Sequence, residues 1–419
     1  MNRIWLLVLA ALLASACILP VAYFSFQTKT DPQSLNLFFG VSFGGNTTSE
    51  AKLLIDRVKS YTNLFVINSW QISGAGNASA LDEICDYAVN AGMSIMVYFS
   101  YVLWNYSARV MARFNVSSWA DYGIALWHIP WLNSARERWG NKFLGAYLYD
   151  EPGGKQIDQG YWTGTMTGAL PATFRNVTTY SQAAANYTRS IIRSDSMQHI
   201  TNTSIPNGVN SRIPVFTSDY ALYWFDYLAG YDAIFTQLGE NRGTDSKIQQ
   251  IALCRGAAKV QNKQWGAIIT WAYNNPPYME NGTEMLQDMW TAYRAGANYL
   301  IIFNYPYNTT NPYGTLTDDH FSAMQKFWNQ IQNSPQNTFG EDQSQTAFVL
   351  PKDYGWGMRS PNDKIWGLFP ADNLSTPIWN SMKTLIQRYG SKLDIIYENP
   401  QFDLTHKYQA IYYWNDTIN

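Results

Sequence analysis

Histidine and cysteine are scarce, with four and three residues respectively in a chain of 419. Their spacing matches no zinc site, so neither a metal nor another cofactor is expected. Cys17 lies in an apolar N-terminal run. Cys85 and Cys254 fall on helices that the pattern described below puts on opposite sides of the molecule. A disulfide needs Cα atoms about 4.4–6.8 Å apart, so the two are expected to stay unpaired. Charge is sparse too. Charged residues make up 14% of the chain and the formal net charge is −2. Nucleic acid demands clustered positive charge, and no such partner is expected. A glycine-rich phosphate turn is also missing, since Phe43-Gly44-Gly45-Asn46 offers only a glycine pair.

Aromatic residues are plentiful, at 16% of the chain with 17 Trp and 29 Tyr. Many must fill a core. The rest supply flat apolar faces with polar edges, the kind of surface on which the C–H faces of sugar rings pack. The N-terminus carries a second signal. After Arg3, the run Ile4–Phe26 holds no charged residue before Lys29 and Asp31. At ~1.5 Å per residue it spans the ~30 Å of a bilayer's hydrocarbon. Ala14-Ser15-Ala16 before Cys17 imitates both a cleavage site and a lipidation box, but the sequence stays apolar beyond it. Residues 1–30 are therefore expected to be an uncleaved transmembrane anchor, with cleavage or lipidation as the alternatives. Each of these leaves residues 31–419 outside the cytoplasm. Asn-X-Ser/Thr sequons at Asn46, Asn77, Asn105, Asn115, Asn176, Asn186, Asn202, Asn281, Asn308, Asn373 and Asn415 agree with a glycosylated, extracytoplasmic chain.

From residue 37 onward, apolar β-rich runs alternate with helical patterns. The expected strands are Leu37–Phe43, Asn63–Trp70, Ser94–Tyr101, Phe143–Tyr149, Ile213–Ser218, Ala233–Leu238, Trp265–Tyr273 and Tyr299–Tyr305. Strands that are apolar on both faces, each followed by a helix, predict an α/β fold of the (β/α)8 TIM-barrel type over residues 31–335. An open doubly wound sheet is the competing fold. Gln- and Asn-rich residues 335–345 read as a linker, and residues 346–419 as a small C-terminal α/β domain with strands at Ala347–Pro351, Ile365–Phe369, Leu393–Tyr397 and Gln409–Trp414.

Barrel sites lie at the C-terminal strand ends. Those ends carry Asn68 and Trp70, Tyr98, Tyr149 with Asp150 and Glu151, Asp219 and Tyr220, Gln237 and Glu240, Trp271 and Tyr273, and Asn304. Such a mixture of rings, amides and carboxylates suits an uncharged polyhydroxylated ligand, an oligosaccharide or polysaccharide. The corner Asp150-Glu151-Pro152 is the most specific feature. It resembles the barrel glycoside hydrolases, whose acid/base glutamate stands at the end of strand four, often before a proline. The resemblance covers residues 37–335 as a pattern and this corner as a motif. It implies a glycoside hydrolase with Glu151 as acid/base. A structural alternative has Asp150 binding the backbone amides of the turn at Gly153-Gly154.

The second carboxylate is harder to find. The larger barrel superfamily has a glutamate at the end of strand seven, where this chain reads Ile269-Thr270-Trp271-Ala272-Tyr273-Asn274-Asn275. Either Glu240 or Asp219 supplies it, or the pair Asp150–Glu151 works as in the substrate-assisted families that cleave N-acetylhexosamines. In those, the neighbouring acid orients the substrate's own acetamide. The remaining alternative is a catalytically inactive glycan-binding or structural surface protein.

Overall fold

A computed structural model describes residues 37–74, 76–99, 128–160, 177–192, 197, 212–239, 243–306, 310–333 and 344–418. Eight parallel strands close into a barrel in sequence order: β1 (Phe38–Phe43), β2 (Leu64–Ile67), β3 (Ser94–Tyr98), β4 (Phe143–Tyr147), β5 (Val215–Asp219), β6 (Ala233–Leu238), β7 (Gln264–Ile269) and β8 (Tyr299–Ile302). Between and after them run α1 (Thr48–Val58), α2 (Ala78–Asn90), α3 (His128–Trp139), α4 (Pro152–Gln159), α5 (Tyr180–Ile192), α6 (Tyr223–Leu228), α7 (Thr244–Val260), α8 (Gly282–Arg294) and α9 (Asp318–Gln332). The TIM barrel is thus present and the doubly wound sheet is excluded.

The barrel interior is filled by alternate strand residues, among them Val66, Met96, Tyr98, Tyr147, Phe216, Phe235, Ile268, Tyr299 and Ile301. Alternation is what a pleated strand dictates, since successive side chains point to opposite faces. Helices are placed by local chemistry as well as by their apolar faces. Thr47 and Glu50 form a capping box at the start of α1, and Asn281 with Glu284 does the same for α8.

Strand ends are shorter than the pattern predicts. β7 stops at Ile269, because the segment beyond it folds back: Tyr278 O accepts the N–H groups of both Ala272 and Tyr273. Short α4 replaces what reads in sequence as a glycine turn.

The C-terminal part contains β9 (Thr346–Leu350), α10 (Ser375–Tyr389), β10 (Leu393–Tyr397) and β11 (Ala410–Tyr413). They form a parallel three-stranded sheet in the order β10-β9-β11. The expected strand Ile365–Phe369 is instead an irregular segment with isolated bridges, broken by Trp366 at φ 59° and Gly367 at φ 68°. The sheet lies against α7, where buried Arg255 meets buried Asp394 at 2.8 Å and reaches Leu393 O at 2.9 Å. A Cβ on Gly256 would stand 2.9 Å from Ile396 Cγ2, so glycine is what lets helix and sheet approach.

Cys85 and Cys254 are free and buried. The run Ile4–Phe26 lies outside the described residues, and no described helix is long and apolar enough to cross a membrane. Of the sequons, those at Asn46, Asn77, Asn281, Asn373 and Asn415 are exposed, whereas Asn186 is buried in α5 and closed to modification in the fold.

Candidate active site

A cavity of about 160 Å³ opens at the C-terminal ends of the barrel strands, and every strand contributes to it. Val66, Ile268 and Ile301 form an apolar floor. Trp271, Phe303 and Tyr305 make one aromatic wall, with Trp271 and Phe303 ring centres 5.5 Å apart. Tyr98 and Tyr147 make another, edge to face at 4.7 Å. The polar groups between these walls are Ser42, Asn68, Ser218, Gln237, Thr270, Asp150 and Glu151.

The two carboxylates are presented by a strained corner. Tyr149 and Glu151 both have left-handed backbone, at φ 54° and φ 55°. For non-glycine residues that costs of order 1 kcal/mol each or more and persists only where surroundings enforce it. The enforcement is visible. Glu151 N–H donates to Ser218 O at 3.0 Å, and Pro152 begins α4 with its fixed φ. Gly153 and Gly154 follow because nothing larger fits: a Cβ on Gly154 would sit 2.1 Å from the Tyr220 ring. Their N–H groups are taken by Asp219, at 2.6 and 2.8 Å, and not by Asp150. The turn-binding role considered for Asp150 therefore belongs to Asp219, and Asp150 faces the cavity.

Asp150 Oδ1 lies 3.0 Å from Tyr147 OH and 3.3 Å from Ser218 Oγ. Burial keeps the Tyr147 hydroxyl protonated by pushing its pKa far up, so it acts as a donor. Glu151 Oε1 accepts from Gln237 Nε2 at 2.7 Å. Lys155, one turn into α4, stands 3.7 Å from both carboxylates. Burial and then the negative Asp150 raise the Glu151 carboxyl from 4.5 to about 7, against the pull of Gln237 and Lys155. The arrangement can hold a proton at neutral pH and deliver it to an oxygen in the cavity.

Of the residues expected here, Asn68, Tyr98, Asp150, Glu151, Gln237 and Trp271 line the cavity. The others are placed elsewhere. Asp219 is fully buried with four backbone donors, and Tyr220 leans away to hydrogen-bond Asp158 at 2.7 Å. Asn304 Oδ1 is occupied by Thr315 N–H at 3.0 Å. Tyr149 is buried behind the corner, Trp70 opens the helical turn Trp70–Gly74, and Tyr273 lines a separate surface pocket beside Glu280. Glu240 lies outside the described residues. Ser42, Ser218, Phe303 and Lys155 were not singled out in the sequence. Strand parity points to the first three, and the i, i+4 spacing from Glu151 points to Lys155.

No protein-family model matches the chain, and no curated protein does either. Solved structures do. GH5_18 from Streptomyces cattleya in complex with GlcNAc aligns over 91% of this chain and 99% of that one, at 12% identity and TM-score 0.54. The likeness shows a shared TIM-barrel fold. A Glu-to-Ala variant of the same Streptomyces enzyme, in complex with Manβ1-4GlcNAc, aligns over the same shares at 12% identity and TM-score 0.53. This likeness concerns the fold, and the chemistry rests on the corner at Asp150 and Glu151.

Proposed function

We propose that the chain is a membrane-anchored, extracytoplasmic glycoside hydrolase that cleaves O-glycosidic bonds with Glu151 as general acid/base. The observation that carries this reading is a carboxyl group inside an aromatic-walled cavity at the strand ends, where burial and Asp150 raise its pKa to about 7. Protonated Glu151 gives its proton to the glycosidic oxygen as the bond to the anomeric carbon breaks. The resulting carboxylate then takes a proton from the water that completes hydrolysis. Trp271, Phe303 and Tyr305 offer ring faces to the sugar, while Asn68 and Gln237 offer amides to its hydroxyls. The sugar ligands of the Streptomyces cattleya enzyme agree with a carbohydrate substrate.

Two routes to the second carboxylate follow. Glu240, two residues beyond the end of β6, is the candidate for a direct one. A second reading is favoured by a specific observation: among the described residues, Asp150 is the one other carboxylate lining the cavity, and the β7 end contributes Thr270 and Trp271 instead. In this substrate-assisted reading the acetamide of an N-acetylhexosamine attacks the anomeric carbon, and Asp150, tied to Tyr147, orients it. Glu151→Gln tests the common core of both. It should abolish hydrolysis of β-linked GlcNAc- and mannose-containing oligosaccharides while preserving the fold, and undiminished turnover would sink the proposal. The inactive, glycan-binding alternative predicts sugar binding without hydrolysis in the wild-type protein.

A further inference from the structure

Behind the Glu151 corner lies a second pair of carboxyls that the reaction does not use. Asp219 ends β5 and Asp226 sits in α6, and both are fully buried. Asp219 accepts the N–H groups of Gly153 (2.6 Å), Gly154 (2.8 Å), Tyr220 (2.7 Å) and Ala221 (3.2 Å). Asp226 Oδ1 accepts from Tyr187 OH, whereas its Oδ2 is buried with no donor reaching it.

The Asp226 carboxyl interacts with that of Asp219, and two buried carboxyls in contact do not both ionise unless a cation compensates them. Among the described residues, the titratable groups that face them are Tyr187, Tyr220, Tyr227, Tyr231, Cys254 and Glu151, none of which is a cation. One proton must therefore stay on the pair. Asp219, with four N–H donors, is the better anion. Asp226 keeps the proton, and burial followed by the charge of Asp219 holds its carboxyl far above the usual range. A proton on Oδ2 turns the orphaned acceptor into a donor toward Asp219, which removes the unmet polar atom.

We propose that Asp219 and Asp226 form a proton-sharing carboxyl pair whose single negative charge holds the Glu151–Gly154 turn and so positions Glu151. The proposal rests on Glu151 being the acid and adds two positioning residues to it. The end of β5 grips the corner on both sides of Pro152: Ser218 O takes the N–H of Glu151, and Asp219 takes those of Gly153 and Gly154. The charge on Asp219 also opposes ionisation of Glu151.

The test needs no substrate. Asp226→Asn keeps an acceptor for Tyr187 and an N–H donor for Asp219, so it should fold, and Glu151 should titrate as in the wild type. A protonated-carboxyl infrared band present in wild-type protein well above pH 7, where Glu151 is ionised, should be missing from this variant. Asp219→Asn should make Glu151 titrate at lower pH, followed by NMR of carboxyl-labelled protein with Glu151→Gln for assignment. Persistence of the infrared band in Asp226→Asn overturns the proposal, as does an unmoved Glu151 titration in Asp219→Asn. If Asp219→Asn does not fold, the infrared comparison decides alone. Wild-type Glu151 titrating in the ordinary carboxylate range would instead defeat its role as acid while leaving the Asp226 band intact.

Discussion

Gln237 Nε2 lies 2.7 Å from Glu151 Oε1, reaching it from the end of β6, two strands away from β4. That donor fixes Oε1, and Oε2 stands 3.7 Å from Lys155 Nζ. A donor to the carboxylate also favours the ionised form, so Gln237 both orients the acid and restrains its proton affinity. Gln237→Leu should raise the pH at which Glu151 ionises and move the alkaline limit of hydrolysis upward. Loss of orientation should lower kcat by up to about 10²-fold. A pH–rate series on the variant and the wild type checks both effects.

The Glu151 carboxyl ionises at about pH 7. Hydrolysis should therefore decline as pH rises through that value. Stability carries the same signature. The folded state binds this proton more tightly than the unfolded chain, so stability falls as pH rises from 4.5 to about 7. Glu151→Gln carries no such penalty and should exceed wild type by roughly 1–3 kcal/mol above pH 7. The difference should vanish below pH 4.5. Denaturant titrations at the two pH extremes measure it.

Trp271 packs against Phe303, Tyr278 and Tyr305 at the cavity wall. Trp271→Ala should weaken oligosaccharide binding by roughly 1–3 kcal/mol, the scale of a buried aromatic face. Calorimetry on the Glu151→Gln background separates binding from turnover, and unchanged affinity would remove Trp271 from the site.

Asp394 receives Arg255 at 2.8 Å, Ser344 Oγ at 2.6 Å and Tyr408 OH at 2.9 Å, all in the interior. Asp394→Ala leaves the guanidinium buried without its counter-charge and should cost about 3–5 kcal/mol. Urea unfolding followed by tryptophan fluorescence gives the value.

Full-length protein should fractionate with membranes, and removing residues 1–30 should release a folded, soluble barrel. A mature N-terminus at Cys17, found by sequencing native protein, would refute the uncleaved anchor.

Much of the barrel is legible in the sequence, because parallel strands covered on both faces are apolar throughout. The expected span Ala233–Leu238 coincides with β6. The ends were overread where apolar and aromatic residues continue past the last ladder hydrogen bond, as in β7. Site residues were harder to separate, since proximity to a strand end does not say which way a side chain points. Phe216 and Ser218 of β5 face inward, so the next residue, Asp219, faces out and becomes a structural anion. Ile301, Phe303 and Tyr305 face the interior of the barrel, and Asn304 between them does not. Glu151 escaped this ambiguity because the motif, not parity, marked it. The left-handed backbone on either side of Asp150 resets the alternation and has no signature in residue type.

Helix α7 has little solvent-facing surface along its second half, where residues Gln249–Ala258 are all buried between the barrel and the C-terminal sheet. An ordinary barrel helix keeps an exposed face, which allows its neighbours to melt separately. Here neither the end of α8 nor β10 can loosen without hydrating the same guanidinium, since Arg255 reaches Ala295 O at 3.4 Å and Leu393 O at 2.9 Å. The seam thus imposes cooperativity on parts that the chain order would allow to be separate. Heating should give a single calorimetric transition in which barrel and sheet are lost together.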